Sequence, residues 1–136
     1  MTAVATVAVG ERVVHKTFPP ITRHTLALYC GASGDHNPIH VDLDFARAAG
    51  FPDVFSHGML VMAYLGQALT DAVAPGAIRA FSTRFSAITQ LGARLTCEGA
   101  VAELFDDQSE RRARLALTVK DEHGETKLAG EAVIAL

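Results

Sequence analysis

Asp35 and His40 stand five residues apart in the stretch SGDHNPIHV, on either side of Asn37-Pro38. A carboxylate and an imidazole held near one point can share a water molecule, one taking its proton while the other positions or protonates the reacting partner. That is acid–base chemistry without a covalent nucleophile. The spacing alone is common, and its plain alternative is an Asx-turn beside a surface histidine. The second feature is SHGML, where Gly58 opens the most apolar candidate helix of the chain. The first amides of a helix have no acceptor within it and lie at the positive end of its dipole, so they suit a developing oxyanion. Gly58 would also leave room for a substrate to approach the backbone. The simpler reading is that a glycine merely starts the helix.

Two other chemistries compete for these residues. His36 and His40 have the spacing of a helical metal pair, and His57 offers a third imidazole. Pro38 breaks any helix between the first two, and no cysteine or glutamate cluster completes a tetrahedral set, so no metal is expected. Ser33 and Ser56 adjoin the two features, but neither stands in a G-x-S-x-G elbow. His15, His24 and His123 read as surface residues, and Met59 and Met62 as core packing.

The frame that must hold these groups is legible in outline. The chain has 136 residues, 49% hydrophobic and 20% charged, with a formal net charge of −3. That is enough apolar material for one compact domain over residues 1–136. The absence of any Lys/Arg run argues against a nucleic-acid or acidic-membrane surface. Cys30 and Cys97 fit neither a CxxC pair nor a disulfide scaffold and read as buried thiols. No basic segment precedes an apolar run, and no stretch reaches the ~20 apolar residues that span a bilayer, so a cytoplasmic protein is expected.

Val4 to Thr17 reads as two short strands about a turn at Gly10-Glu11. Thr22 caps a half-buried helix that Gly31 and Gly34 end, a constrained loop follows from Ser33 to Val41, and Asp42 or Asp44 caps a small helix closed by Gly50. The long helix from His57-Gly58 is apolar nearly all round its first half, through Met59, Leu60, Val61, Met62, Ala63 and Leu65, and should be enclosed by other structure. Beyond Pro75-Gly76 come four strands, within 77–88, 93–105, 111–124 and 125–136. The expected class is α+β, a curved antiparallel sheet wrapped around one helix.

YCGASGDHNPIHVDLDFA, from Tyr29 to Ala46, resembles the hydratase signature of MaoC-like proteins, and FSHGML, from Phe55 to Leu60, resembles the second landmark of that family. The resemblance implies a hot-dog fold that usually pairs through its sheets as a homodimer, with heterodimers and higher oligomers also known. Carried over by residue, Asp35 and His40 become the pair that holds and activates water, Asn37 orders their loop, and the Gly58 amide donates to an oxyanion. His57 and Met59 fall to substrate binding or loop ordering, Met59 beside an acyl chain. The implied reaction is that of an (R)-specific enoyl-CoA hydratase or (3R)-hydroxyacyl thioester dehydratase: reversible syn addition of water to a trans-2-enoyl thioester. Coenzyme A or acyl carrier protein is then part of the substrate, and no cofactor is implied. A serine that often supports the catalytic Asp corresponds to Gly66, and a glycine there resembles dehydratase subunits of bacterial type II fatty-acid synthesis, some of which work as heterodimers. RFSAITQLGARL departs from the family's F-x-x-P-V-x-x-G-D pattern, a change expected to touch a strand crossing and turn rather than chemistry. Two further readings stay open: a non-catalytic subunit that binds acyl thioesters or completes a partner's tunnel, and a hot-dog thioesterase.

Overall fold

The computed structural model describes residues 6–136, so the start of the first expected strand, residues 4 and 5, lies outside the described residues. Among the described residues only the second strand of that pair forms, β1 (Arg12–Thr17). Residues before it turn instead, with the Glu11 amide donating to the Ala8 carbonyl at 3.0 Å and Gly10 at φ 90°.

The remaining strands are β2 (Ile78–Phe85), β3 (Thr96–Asp107), β4 (Glu110–Lys120) and β5 (Thr126–Ala135). They form one antiparallel sheet in the order β1-β3-β4-β5-β2, leaving β1 and β2 at its edges. The period-2 alternation of β4 places Ala113, Leu115, Leu117 and Val119 in the core. Gln108 and Ser109 both take positive φ, the geometry a two-residue hairpin needs to match the twist of β3 and β4.

Three α-helices precede the sheet strands β2 to β5. In α1 (Arg23–Ser33), Thr22 Oγ1 accepts from the Thr25 amide at 3.1 Å, and Gly34, at φ 76°, returns its amide to the Cys30 carbonyl at 3.0 Å. Gly31, expected to help end this helix, lies inside it. Asp42 caps α2 (Leu43–Ala48) through the Phe45 amide at 3.1 Å. The long helix α3 (Gly58–Ala72) packs on β1, β3, β4 and β5 through Leu60, Val61, Leu65, Ala68, Leu69 and Ala72. Leu65 and Leu69 are wholly buried, each removing apolar surface worth about 1.5–3 kcal/mol.

The sheet covers one side of α3 only. Met59, Ala63, Gln67 and Asp71, four residues apart, stay exposed, so the helix is not enclosed all round. Met59 is 55% exposed and is not core packing. Met62 is half-buried, its sulfur accepting from Thr83 Oγ1 at 3.3 Å. Both cysteines are buried free thiols, and His15, His24 and His123 are exposed. Among the described residues no helix is long and apolar enough to cross a membrane.

Candidate active site

The loop after α1 is a succession of side chains closing local turns. Ser33 Oγ donates to the Tyr29 carbonyl at 2.7 Å and accepts from the Asp35 amide at 3.1 Å. Asp35 Oδ1 accepts from the Asn37 amide at 3.2 Å, and Asn37 Oδ1 from the Ile39 amide at 3.1 Å. Asn37 thereby caps a 3-10 turn, Pro38–His40, whose last residue turns inward.

His40 is buried, and its Nδ1 lies 2.7 Å from the Phe55 carbonyl. A carbonyl only accepts, so Nδ1 carries the hydrogen and Nε2 of the neutral ring keeps a lone pair. That Nε2 is 4.0 Å from Asp35 Oδ2. The gap is too long for a direct hydrogen bond, whereas a water about 2.8 Å from each atom would bridge it at an angle of roughly 90°. Asp35 is the solvent-facing partner, with its side chain 53% exposed.

His57 lies beneath this pair. Its ring stacks on His40 with centroids 3.7 Å apart and planes 24° apart, and Tyr29 meets it edge-on. Its Nε2 is 3.3 Å from the Asp35 carbonyl and 3.5 Å from Cys30 Sγ. Burial, and then the neighbouring His40, push its pKa below the ordinary histidine value, against the Asp35 carbonyl and charge. A neutral His57 donates from Nε2 to the Asp35 carbonyl, which leaves Nδ1 an acceptor. That atom is buried without a partner among the described residues, a cost of about 1–3 kcal/mol.

One donor atom from each of Asp35, His40 and His57 lies within 4.8 Å of the others. The set nevertheless suits a metal poorly. Imidazole lone pairs lie in the ring plane, so two rings stacked nearly parallel aim them side by side rather than at one ion about 2.0–2.1 Å from both.

Gly58 is the first residue of α3, and the preceding His57 side chain makes no cap to the helix amides. A Cβ there would lie 3.0 Å from Cδ1 and Cε1 of Phe85, so the ring of β2 crowds the side-chain position of Gly58. His40 and Gly58 border one cavity of about 350 Å³, whose apolar lining includes Val61, Phe85, Ile88 and Leu128. Neither His57 nor the exposed Met59 lines it.

The segment from Ser86 to Thr89, read from sequence as crossing and turn, forms a wall of this cavity together with Lys127. Its placement follows from two long-range ties, the Ser56 amide to the Thr89 carbonyl at 2.8 Å and a bridge between Phe55 and Gln90. Phe55 stood in the FSHGML landmark without a role of its own, and Phe85 and Lys127 escaped the sequence reading, since nothing in their local pattern separates them from ordinary strand residues. Gly66 lies eight residues beyond Gly58, roughly 12 Å along the helix. Within the chain a side chain there would meet Phe81, not Asp35.

The MaoC like domain family matches residues 4–124. The (R)-specific enoyl-CoA hydratase of Rhodospirillum rubrum is 31% identical over 116 residues, 84% of this chain and 78% of that protein. Peroxisomal enoyl-CoA hydratase 2 of Arabidopsis thaliana is 37% identical over 67 residues, 47% of this chain but 22% of that protein, so the match spans well under two thirds of that longer relative. Among solved structures, the (R)-hydratase from A. caviae involved in PHA biosynthesis has a TM-score of 0.85 at 25% identity, over 98% of this chain and 99% of that one. Both landmark segments and most of the sheet fall within the matched range, and the chain therefore belongs to the family of MaoC-like domains and has the hot-dog fold.

Proposed function

We propose that the protein is an (R)-specific enoyl thioester hydratase, adding water reversibly to trans-2-enoyl thioesters of coenzyme A or acyl carrier protein. The observation that carries this is the placement of His40 Nε2 and Asp35 Oδ2, 4.0 Å apart, with His40 Nδ1 tied to the Phe55 carbonyl. Two acceptors then face one water. As the water oxygen bonds to C3 of the enoyl group, its proton passes to His40 Nε2, and the C2–C3 π electrons move toward the thioester oxygen as an enolate. The amide of Gly58 stabilises that oxygen. His40 next returns the proton to C2. Because one group on one face takes and gives the proton, the addition is syn, and the reverse path is dehydration. Asp35 orients the water and stabilises the charged imidazole. Nothing in these steps calls for a cofactor, since the thiol carrier is part of the substrate.

The exposed stripe of α3, with Met59 at its start, and the half-exposed Phe85 and Ile88 support a homodimer; a heterodimer would use the same face. Absorbance of the conjugated enoyl thioester tests the activity, following crotonyl and longer trans-2-enoyl coenzyme A with wild type, Asp35→Asn and His40→Ala. Each variant should lose about 10²-fold or more in turnover while keeping its fold, and the product should be the 3R alcohol. Unchanged absorbance with the wild-type protein would overturn the reading in favour of a non-catalytic acyl-thioester-binding subunit.

A further inference from the structure

Lys127 borders the cavity from β5 with a side chain only 2% exposed. A buried ammonium persists where its charge and its donors are matched. Here Nζ donates to the Ile88 carbonyl at 2.9 Å, to Gln90 Oε1 at 3.0 Å and to Glu125 Oε1, and Asp121 Oδ2 lies 3.5 Å away. Three donors meet three acceptors, so none is left for a ligand, and Lys127 is not a substrate-binding cation despite its place on the wall. Asp121 is fixed in turn by Gln90 Nε2 at 3.1 Å and by the amides of His123 and Glu125 at 3.0 and 2.9 Å. Burial pushes its carboxyl up, but these hydrogen bonds and the Lys127 charge prevail and hold it below the ordinary carboxylate value. Asp121 thus faces Lys127 as a carboxylate.

What the pair holds is the wall. The Ser86 amide donates to the Lys127 carbonyl at 2.9 Å, and the Lys127 ammonium holds Ile88 and Gln90. Within that short run the Thr89 carbonyl accepts from the Ser56 amide, and Gln90 bridges to Phe55. The Phe55 carbonyl is the acceptor for His40 Nδ1. A continuous path of hydrogen bonds and one backbone segment thus joins Lys127 to the imidazole.

We propose that Lys127, held by Asp121 and Gln90, is a positioning residue that seats the 86–90 segment and, through the Phe55 carbonyl, keeps His40 as the Nδ1–H tautomer with Nε2 toward Asp35. Supporting contacts of this kind set the geometry of catalytic groups to within tenths of an ångström. The effect on turnover rests on the hydratase reading; the effect on His40 does not.

The test combines nitrogen-15 NMR of the histidine rings in the full chain with steady-state kinetics, on wild type, Lys127→Met and Gln90→Ala. Met keeps the length of the side chain but leaves the Ile88 carbonyl and Gln90 without their donor, while Gln90→Ala is the milder change should Lys127→Met fail to fold. The expected result is a single Nδ1–H tautomer of His40 in wild type and mixed tautomers in the variants. With it, kcat should fall about 10- to 100-fold and KM move by less than about threefold. A lower Tm with the wild-type tautomer and kcat retained would overturn the proposal and leave the network a fastening of the β4–β5 turn. If wild type turns over no enoyl thioester, the hydratase reading fails, and the tautomer populations still decide whether Lys127 positions His40.

Discussion

Gly58→Ala separates two roles that the structure superimposes at one atom. The added Cβ would lie 3.0 Å from two carbons of the Phe85 ring, a few tenths of an ångström too close. Phe85 is 52% exposed, so its ring can give way. Overpacking a rigid core costs about 1–3 kcal/mol, and a half-exposed ring should fall at or below the lower end. Removing a glycine from the start of α3 returns up to about 0.5–1 kcal/mol of backbone entropy. The two terms nearly cancel, and folding stability should change by less than about 1 kcal/mol, a shift in Tm of roughly 4 °C or less. Turnover should not be spared. The amide itself remains, but the methyl group stands beside it and hinders the thioester oxygen, so turnover should fall toward the limit set by loss of one such donor, about 10²–10³ in rate, or roughly 2.7–4 kcal/mol. The assay is hydration of crotonyl coenzyme A together with thermal unfolding, on Gly58→Ala and on Gly58→Ala combined with Phe85→Ala. Truncating Phe85 makes room for the methyl without moving it from the amide, so activity should stay low in the double variant. Wild-type turnover in Gly58→Ala, or full recovery in the double variant, would refute the oxyanion role and trace the effect to the displaced ring.

Two pH responses follow from the charged and buried groups. Glu110 takes hydrogen bonds from Arg79 and then Arg112, which lower its pKa from 4.5 to about 2. A carboxylate depressed on folding stabilises the folded chain above its unfolded pKa, and that contribution is lost as pH falls from 4.5 toward 2. Glu110→Gln should therefore flatten urea-unfolding stability across that window, and an unaltered slope would contradict the pairing. His57 is also depressed, by burial and by His40, so below its ordinary value of 6.5 the unfolded chain binds a proton that the folded site refuses. Stability should fall as pH drops from 6.5 toward the lowered folded value, and His57→Gln should remove that part of the slope; identical profiles for the two proteins would show that His57 titrates normally.

The candidate residues of the site lie close together in the chain, and the loop that holds them was legible from local sequence. Asp35, Asn37 and His40 sit in one loop because Asn37-Pro38 forbids a helix and short polar side chains close turns on their own backbone, all of it decided within a few residues. Gly34 and Asp42, which bound α1 and α2, work the same way. The period-2 pattern of β3, β4 and β5 and the apolar run of α3 were equally local and gave the class of fold. Tertiary structure decided the rest. Whether α3 is enclosed depends on which side the sheet covers, and mean hydropathy carries no direction, so Met59 was placed in a core it does not enter. The tautomer of His40 is set by a carbonyl fifteen residues away, the lowered pKa of His57 by burial and then by the His40 ring stacked on it, and the crowding at position 58 by Phe85 on β2. Lys127 reads as an ordinary strand lysine until Ile88, Gln90 and Asp121 surround it. Each of these turns on a contact between distant segments, and such contacts arise only when burial of the common core brings the segments together, so no local pattern of residue types records them.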